Sequence, residues 1–191
     1  LMIIMLILSG FIVFGKEFLF FWVGEGYAEA YYVAIVVMIP FSVDLAQNLA
    51  LCILQIKQQY GFRAKIYLLS ALINIVTTVI FASYFGMIGA AISTGLSMTL
   101  TSGLIMNWYY LKKTKLDIIK FWKESAGIIA TAALMAVLAL WVKQHMVYER
   151  MEILHLGLEI ALFVLIYAGI IYQFVMNTQE KEQLLAFVKR K

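Results

Sequence analysis

Residues 31–56 read YYVAIVVMIPFSVDLAQNLALCILQI, a run with one charge, Asp44, and the chain's only proline, Pro40. Crossing about 30 Å of hydrocarbon takes ~20 predominantly apolar residues. The run is too long and too uniformly apolar for a barrel strand, and it lacks the alternation such a strand would show. Backbone surrounded by lipid must satisfy its own hydrogen bonds, so the run reads as a transmembrane helix.

The rest of the 191-residue chain repeats the pattern. It is 64% hydrophobic and 14% charged, whereas soluble domains carry roughly 45–50% apolar and about 25% charged residues. Six segments are long enough, or nearly so, to span a bilayer: 1–14, 31–56, 66–84, 87–110, 125–142 and 153–176. The fold class is therefore all-α, a polytopic transmembrane helix bundle of six spans. A single cysteine, Cys52, excludes an internal disulfide framework. The opening LMIIMLILSG has neither a basic flank nor a cleavage site of small residues, unlike a signal peptide. It starts with Leu inside an apolar run, and the expectation is a fragment of a longer protein.

Charge sets the orientation. Lys57, Arg63 and Lys65 fall between spans two and three, and Lys112, Lys113, Lys115, Lys120 and Lys123 between four and five. Lys181, Lys189, Arg190 and Lys191 follow span six, so alternate loops hold twelve of the fifteen basic residues. The other side has Lys16, Lys143 and Arg150 with Glu17, Glu25, Glu29, Glu149 and Glu152. Basic loops stay cytoplasmic, which predicts a multi-pass protein of the cytoplasmic membrane with its C-terminus inside. All four tryptophans (Trp22, Trp108, Trp122, Trp141) fall at predicted span ends, where an indole suits the headgroup layer. Two stretches read as inner-surface segments, TKLDIIKFWKE at 114–124 and an amphipathic tail at 177–191 opened by Asn177 and Glu180 as a cap. Their lysines either bind anionic headgroups or only fix topology.

Inside the spans, polar residues ask for a reason. Asp44 is placed about midway along span two, where insertion costs about 2.5–3.5 kcal/mol unless the carboxylate faces water, a partner or the bundle interior. Gln47 and Asn48 share its side at i+3 and i+4. Pro40 removes a backbone donor, frees a carbonyl nearby and is expected to kink the helix. This face either lines a wet cavity and holds a cation, or Asp44 is protonated or bonded to a neighbouring helix as packing glue. Asn74 and Asn107 could join the cavity, although each alone reads as glue between helices. Span four carries two rows of small residues at i+4 spacing: Gly89, Ser93, Ser97 and Thr101, and Ala91, Gly95, Thr99 and Gly103. Such rows let backbones approach closely, marking a central helix packed on two sides.

Sequence signatures for zinc proteases, P-loops and serine hydrolases are absent, which argues against an enzyme. His145 and His155 lack companions that would complete a site. The basic residues follow membrane topology and form no nucleic-acid face.

The order of features resembles a known family. FGKEFLFFWVGEGYAEAYYVA (14–34), ILQIKQQYGFRAKI (53–66), LINIV (72–76) and YFGMIGAAISTGLS (84–97) follow one another as in the C-terminal half of the MOP flippase superfamily, polysaccharide-synthesis branch. The likeness covers about residues 9–125, and the Gly86, Gly89, Ala90, Ala91 run after an asparagine-bearing helix is its most specific part. It implies the last six helices of a fourteen-helix flippase. Residues 1–124 would belong to the C-terminal lobe, 125–176 would be an appended helix pair, and 177–191 a cytoplasmic tail. The implied activity is alternating-access movement of lipid-linked oligosaccharide or polysaccharide precursors. The N-terminal lobe, or a second subunit, would complete the transporter. In that frame Asp44, Gln47, Asn48 and Asn74 are cavity residues, with a proton or sodium ion as the coupling species and no other cofactor. Arg63 and Lys65 become candidates for gripping a pyrophosphate headgroup, and Gly86, Gly89, Ser93, Gly95 and Gly103 serve helix packing. The rivals are a multidrug cation exporter of the same superfamily and a non-transporting scaffold or gene remnant.

Overall fold

The computed structural model describes residues 1–56, 60–114, 116–145, 153–177 and 180–182. Among them every regular element is a helix, and five helices are long and apolar enough to cross a membrane. The chain is an all-α, multi-pass membrane protein. In order come α1 (Met2–Val23), a 3-10 turn (Glu25–Tyr27), α2 (Ala28–Ala46), α3 (Asn48–Ile56) and α4 (Tyr60–Met98). A π-helical stretch (Thr99–Ile105), α5 (Met106–Tyr109) and a second π-helical stretch (Tyr110–Thr114) continue α4 without a break. Then follow α6 (Ile118–His145), α7 (Ile153–Ile170) and a third π-helical stretch (Ile171–Val175).

The first arm of α4 shows what solvent the fold expects. Leu68, Leu72, Ile75 and Val79 stand on one side, each more than half exposed. Ser70, Asn74 and Thr77 stand on the other and bond to the rest of the protein. A helix with its polar stripe inward and its apolar stripe outward belongs in lipid, where exposing leucine costs nothing and exposing an amide does.

Several boundaries differ from the sequence reading, each for a local reason. Helix α1 runs nine residues past Phe14, so Lys16 and Glu17 lie within it and not in a loop. The predicted span 31–56 divides at Gln47, whose N–H is shared between the carbonyls of Val43 (3.3 Å) and Asp44 (3.2 Å). Asp44 consequently sits in the last turn of α2, well away from the middle of a span. Helix α4 starts at Tyr60, which takes Arg63 and Lys65 out of the predicted loop. Residues 118–124 are the first turns of α6 and form no separate surface helix. Lys57, Lys115, Glu149, Arg150, Glu152 and the tail beyond 182 lie outside the described residues. Of the predicted cap, Glu180 Oε2 accepts the Asn177 backbone N–H at 2.9 Å.

Predicted spans three and four form one helical run, Gly61–Thr114, interrupted at Gly86 (φ 58°, ψ −135°). That conformation is open to glycine and strained for residues with a Cβ. Across Gly86 the partners descend as the first arm ascends: Tyr67 meets Ser102, Ser70 meets Thr101, Asn74 meets Thr94. The arms are therefore antiparallel neighbours. Near the turn they approach so closely that a Cβ on Gly89 would collide with the Phe81 backbone.

The chain forms two compact units. One holds Leu1 with Gly15–Glu124, and the other holds Met2–Phe14 with Ser125–Lys191. The second thus contains α6 from Ser125 onward, α7 and Met2–Phe14 of α1, the last of which the sequence reading assigned to the lobe before 125. In this second unit the Tyr167 hydroxyl donates to the Met2 carbonyl (3.0 Å), and Phe14 meets Phe163 edge-on with centroids 5.6 Å apart. A largely apolar cavity of about 350 Å³ there is flanked by Lys143 and Glu159.

Candidate functional site

In the first unit, α2 and the second arm of the hairpin are fitted by a proline and a glycine together. Pro40 has no N–H, so the Val36 carbonyl loses its helical partner. That oxygen faces Gly95, where an added Cβ would lie 2.9 Å from it and 3.7 Å from Pro40 Cγ. Only glycine lets the two helices close here. Ser42 Oγ donates to the Met38 carbonyl at 2.7 Å, supporting the same turn of α2. The small-residue rows thus serve two neighbours. Ser93, wholly buried, bonds into the first arm of α4, and Gly95 admits α2. Gly103 departs from this pattern, since a Cβ there would approach only Thr99 of its own helix.

This fit brings Asp44 to the hairpin. Its Oδ1 accepts from three groups: Arg63 Nη2 at 3.3 Å, the Ser102 hydroxyl at 2.8 Å, and the Tyr67 hydroxyl. Arg63 Nη2 also donates to Tyr67 Oη at 3.0 Å, and its guanidinium carbon lies 4.9 Å from the Tyr67 ring centroid. The side chains of Arg63 and Asp44 are 13% and 18% exposed, so water screens the pair only weakly. The second terminal guanidinium nitrogen, Nη1, and the hydroxyl of fully buried Tyr110 are both shielded from solvent. Both charges stand at unfavourable helix ends, a cation in the first turn of α4 and an anion in the last turn of α2. Each placement opposes the helix dipole by ~0.3–1 kcal/mol.

Next to the pair, Asn107 is fully engaged. Its Oδ1 accepts from Gln47 Nε2 (3.1 Å) and Trp122 Nε1 (3.3 Å), and its Nδ2 donates to the carbonyls of Gly103 (2.6 Å) and Ser102 (3.4 Å). Those carbonyls belong to the π-helical stretch, in which the Met106 N–H bonds to Thr101 five residues back. One amide thereby ties the end of α2 and the start of α6 to the irregular part of the hairpin. Below it, Ala50, Leu54, Met106, Tyr110 and Ile118 form a buried apolar cluster, and Phe62 stacks on Tyr109 at 4.0 Å between centroids.

Of the residues singled out in the sequence, Asp44 and Arg63 meet directly, and buried Gln47 connects to Asp44 through Asn107 and then Ser102. Asn48 and Lys65 are exposed and take no part. Asn74 belongs to a separate seam, where its amide oxygen accepts from Ser93 (2.8 Å) and Thr78 (3.0 Å) and its nitrogen donates to Thr94 (3.5 Å). Tyr67, Ser102, Tyr110 and Trp122 were not foreseen as members. Tyr67 was legible as the i+4 neighbour of Arg63. Ser102 was not, because it falls outside the i+4 row that ends at Thr101, yet both are buried in the π-helical stretch.

A carboxylate with two hydroxyls is an oxygen donor set of the kind hard cations take, but here the Arg63 guanidinium covers it. Among the described residues no three His, Cys, Asp or Glu side chains converge as metal ligands. No protein-family model, curated protein or solved structure matches the chain.

Proposed function

We propose that the chain is the C-terminal part of a membrane flippase that moves lipid-linked oligosaccharide or polysaccharide precursors by alternating access. In this reading Gly61–Thr114, about 81 Å of helix at 1.5 Å per residue, crosses the bilayer twice. That gives six crossings in the cytoplasmic membrane, with the C-terminus cytoplasmic and an N-terminal lobe or second subunit completing the cavity.

The observation that supports it is the Asp44–Arg63 pair. It joins α2 to the hairpin, lies shielded from solvent, and opposes both helix dipoles. Stability alone is better served by apolar residues at such a place. A pair that opens and closes has a reason to be there. Neutralising Asp44 with a proton or sodium ion frees Arg63, whose planar fork suits the oxygens of a pyrophosphate headgroup. Re-forming the pair releases the headgroup. Lys65, exposed two residues on, is left to lipid contact. A hydrophobic-cation exporter fits less well, because the acidic group it would use is already occupied by a guanidinium.

The test is Asp44→Asn in the intact parent protein. Expression is equalised by a C-terminal green fluorescent protein, which matures only on the cytoplasmic side and so also reports orientation. Loss of cell-surface polysaccharide export is expected. Unchanged export with equal fluorescence would falsify the coupling role of Asp44.

A further inference from the structure

Another charged residue inside an apolar helix is unused by this reading. Lys16 lies seven residues before the end of α1, about 10 Å along the axis at 1.5 Å per residue. A lysine at that depth must reach the interface or find a partner. Its Nζ sits 5.2 Å from the ring centroid of Tyr31 and 5.3 Å from that of Tyr32. Glu17, the next residue, also bears on Tyr31, yet among the described residues no carboxylate lines the cavity into which Lys16 projects.

That cavity, about 210 Å³, lies in the angle between the end of α1 and the start of α2. Lys16, Phe20 and Gly24 follow at i+4 spacing along one wall, while Tyr27, Tyr31 and Tyr32 form the other. The 3-10 turn closes it, made possible by Gly24 at φ 97°. Around the turn Trp22 is 76% exposed and Tyr27 54%, the amphipathic aromatics expected at headgroup level. The volume is below the roughly 300–1,000 Å³ of whole-ligand pockets, so it suits a headgroup whose chains remain in the bilayer. A cation held by two ring faces is anchored without being neutralised.

We propose that this cavity binds the phosphate of an anionic membrane lipid, with the phosphate on Lys16 and the headgroup carbons against the tyrosine rings. This does not depend on the chain's being a flippase; it requires only that α1 and α2 be in a membrane.

The experiment uses the full chain with Trp108, Trp122 and Trp141 changed to Phe, leaving Trp22 as reporter, and helicity checked by circular dichroism. The protein is placed in phosphatidylcholine vesicles, and brominated chains are supplied on phosphatidylglycerol or on phosphatidylcholine. Trp22 should be quenched at lower mole fractions of the brominated phosphatidylglycerol. Lys16→Gln should raise its half-quenching fraction about fivefold, the loss of one basic residue near an anionic surface. Lys16→Arg should leave it unchanged. Equal quenching by the two lipids in the Lys16 protein overturns the proposal without any Lys16 variant, and so does an unchanged curve for Lys16→Gln. If millimolar glycerol phosphate abolishes the preference, the site belongs to a free phosphate ester and the lipid assignment fails.

Discussion

The α4 hairpin carries two polar clusters of different kinds. Near its turn, Asn74, Thr77, Thr78, Ser93 and Thr94 bond only to one another and to their own helices. Away from the turn, Asp44, Arg63, Tyr67 and Ser102 bring an ion pair and a second helix into the network. The neutral seam is built from small side chains with several alternative partners, so losing one bond leaves the others to rearrange. Its bonds fall in the class that averages about 0.6 kcal/mol in membranes. The charged cluster has no such slack. Each ion is tolerable only because the other is there, and removing either strands a shielded charge.

The largest expected effect separates the two clusters directly. Asp44→Ala should destabilise the protein by ~3–5 kcal/mol, since Arg63 keeps its charge without a partner. Adding Arg63→Ala should recover part of the loss. Unfolding in mixed micelles with increasing dodecyl sulfate gives the free energies, and strictly additive losses would mean that the two residues are not coupled. Packing comes next. Gly95→Val should cost ~1–3 kcal/mol, because the new side chain must displace the Val36 carbonyl and Pro40. A melting temperature equal to that of the unmodified protein would show that α2 does not rest on Gly95. The smallest effect should come from the seam. Asn74→Ala is expected to cost about 1 kcal/mol or less. A loss as large as that of Asp44→Ala would erase the distinction between glue and ion pair.

How much of this was legible beforehand depends on the kind of residue. The long apolar runs declared helices in a membrane, and Pro40 with the glycine rows announced close packing, because each depends on local chemistry. Arg63 was misplaced because charge counting treats every basic residue near a span end as a loop residue. The same habit ended α1 at Phe14, before Lys16 and Glu17, and passed over Glu159 within α7. Long basic side chains can stay inside a helix and bend their heads to a partner, which only the third dimension reveals. Asp44 was legible as exceptional, yet its neighbours were not. They are set by the division at Gln47 and by the π register after Met98, neither of which leaves a mark on α-helical periodicity. Asn48 shows the cost, since α-helical spacing puts it beside Asp44 while the division turns it to the exposed side.

The turn at Gly86 has a consequence for how the chain enters its membrane. Each arm of the hairpin, offered alone to lipid, would carry an unmatched row of hydroxyl and amide groups. Folded back at Gly86, the arms satisfy one another across the seam. The unit that partitions favourably is the pair. A bulkier residue at Gly86 would strain the turn at φ 58° and weaken every contact that depends on the arms lying side by side.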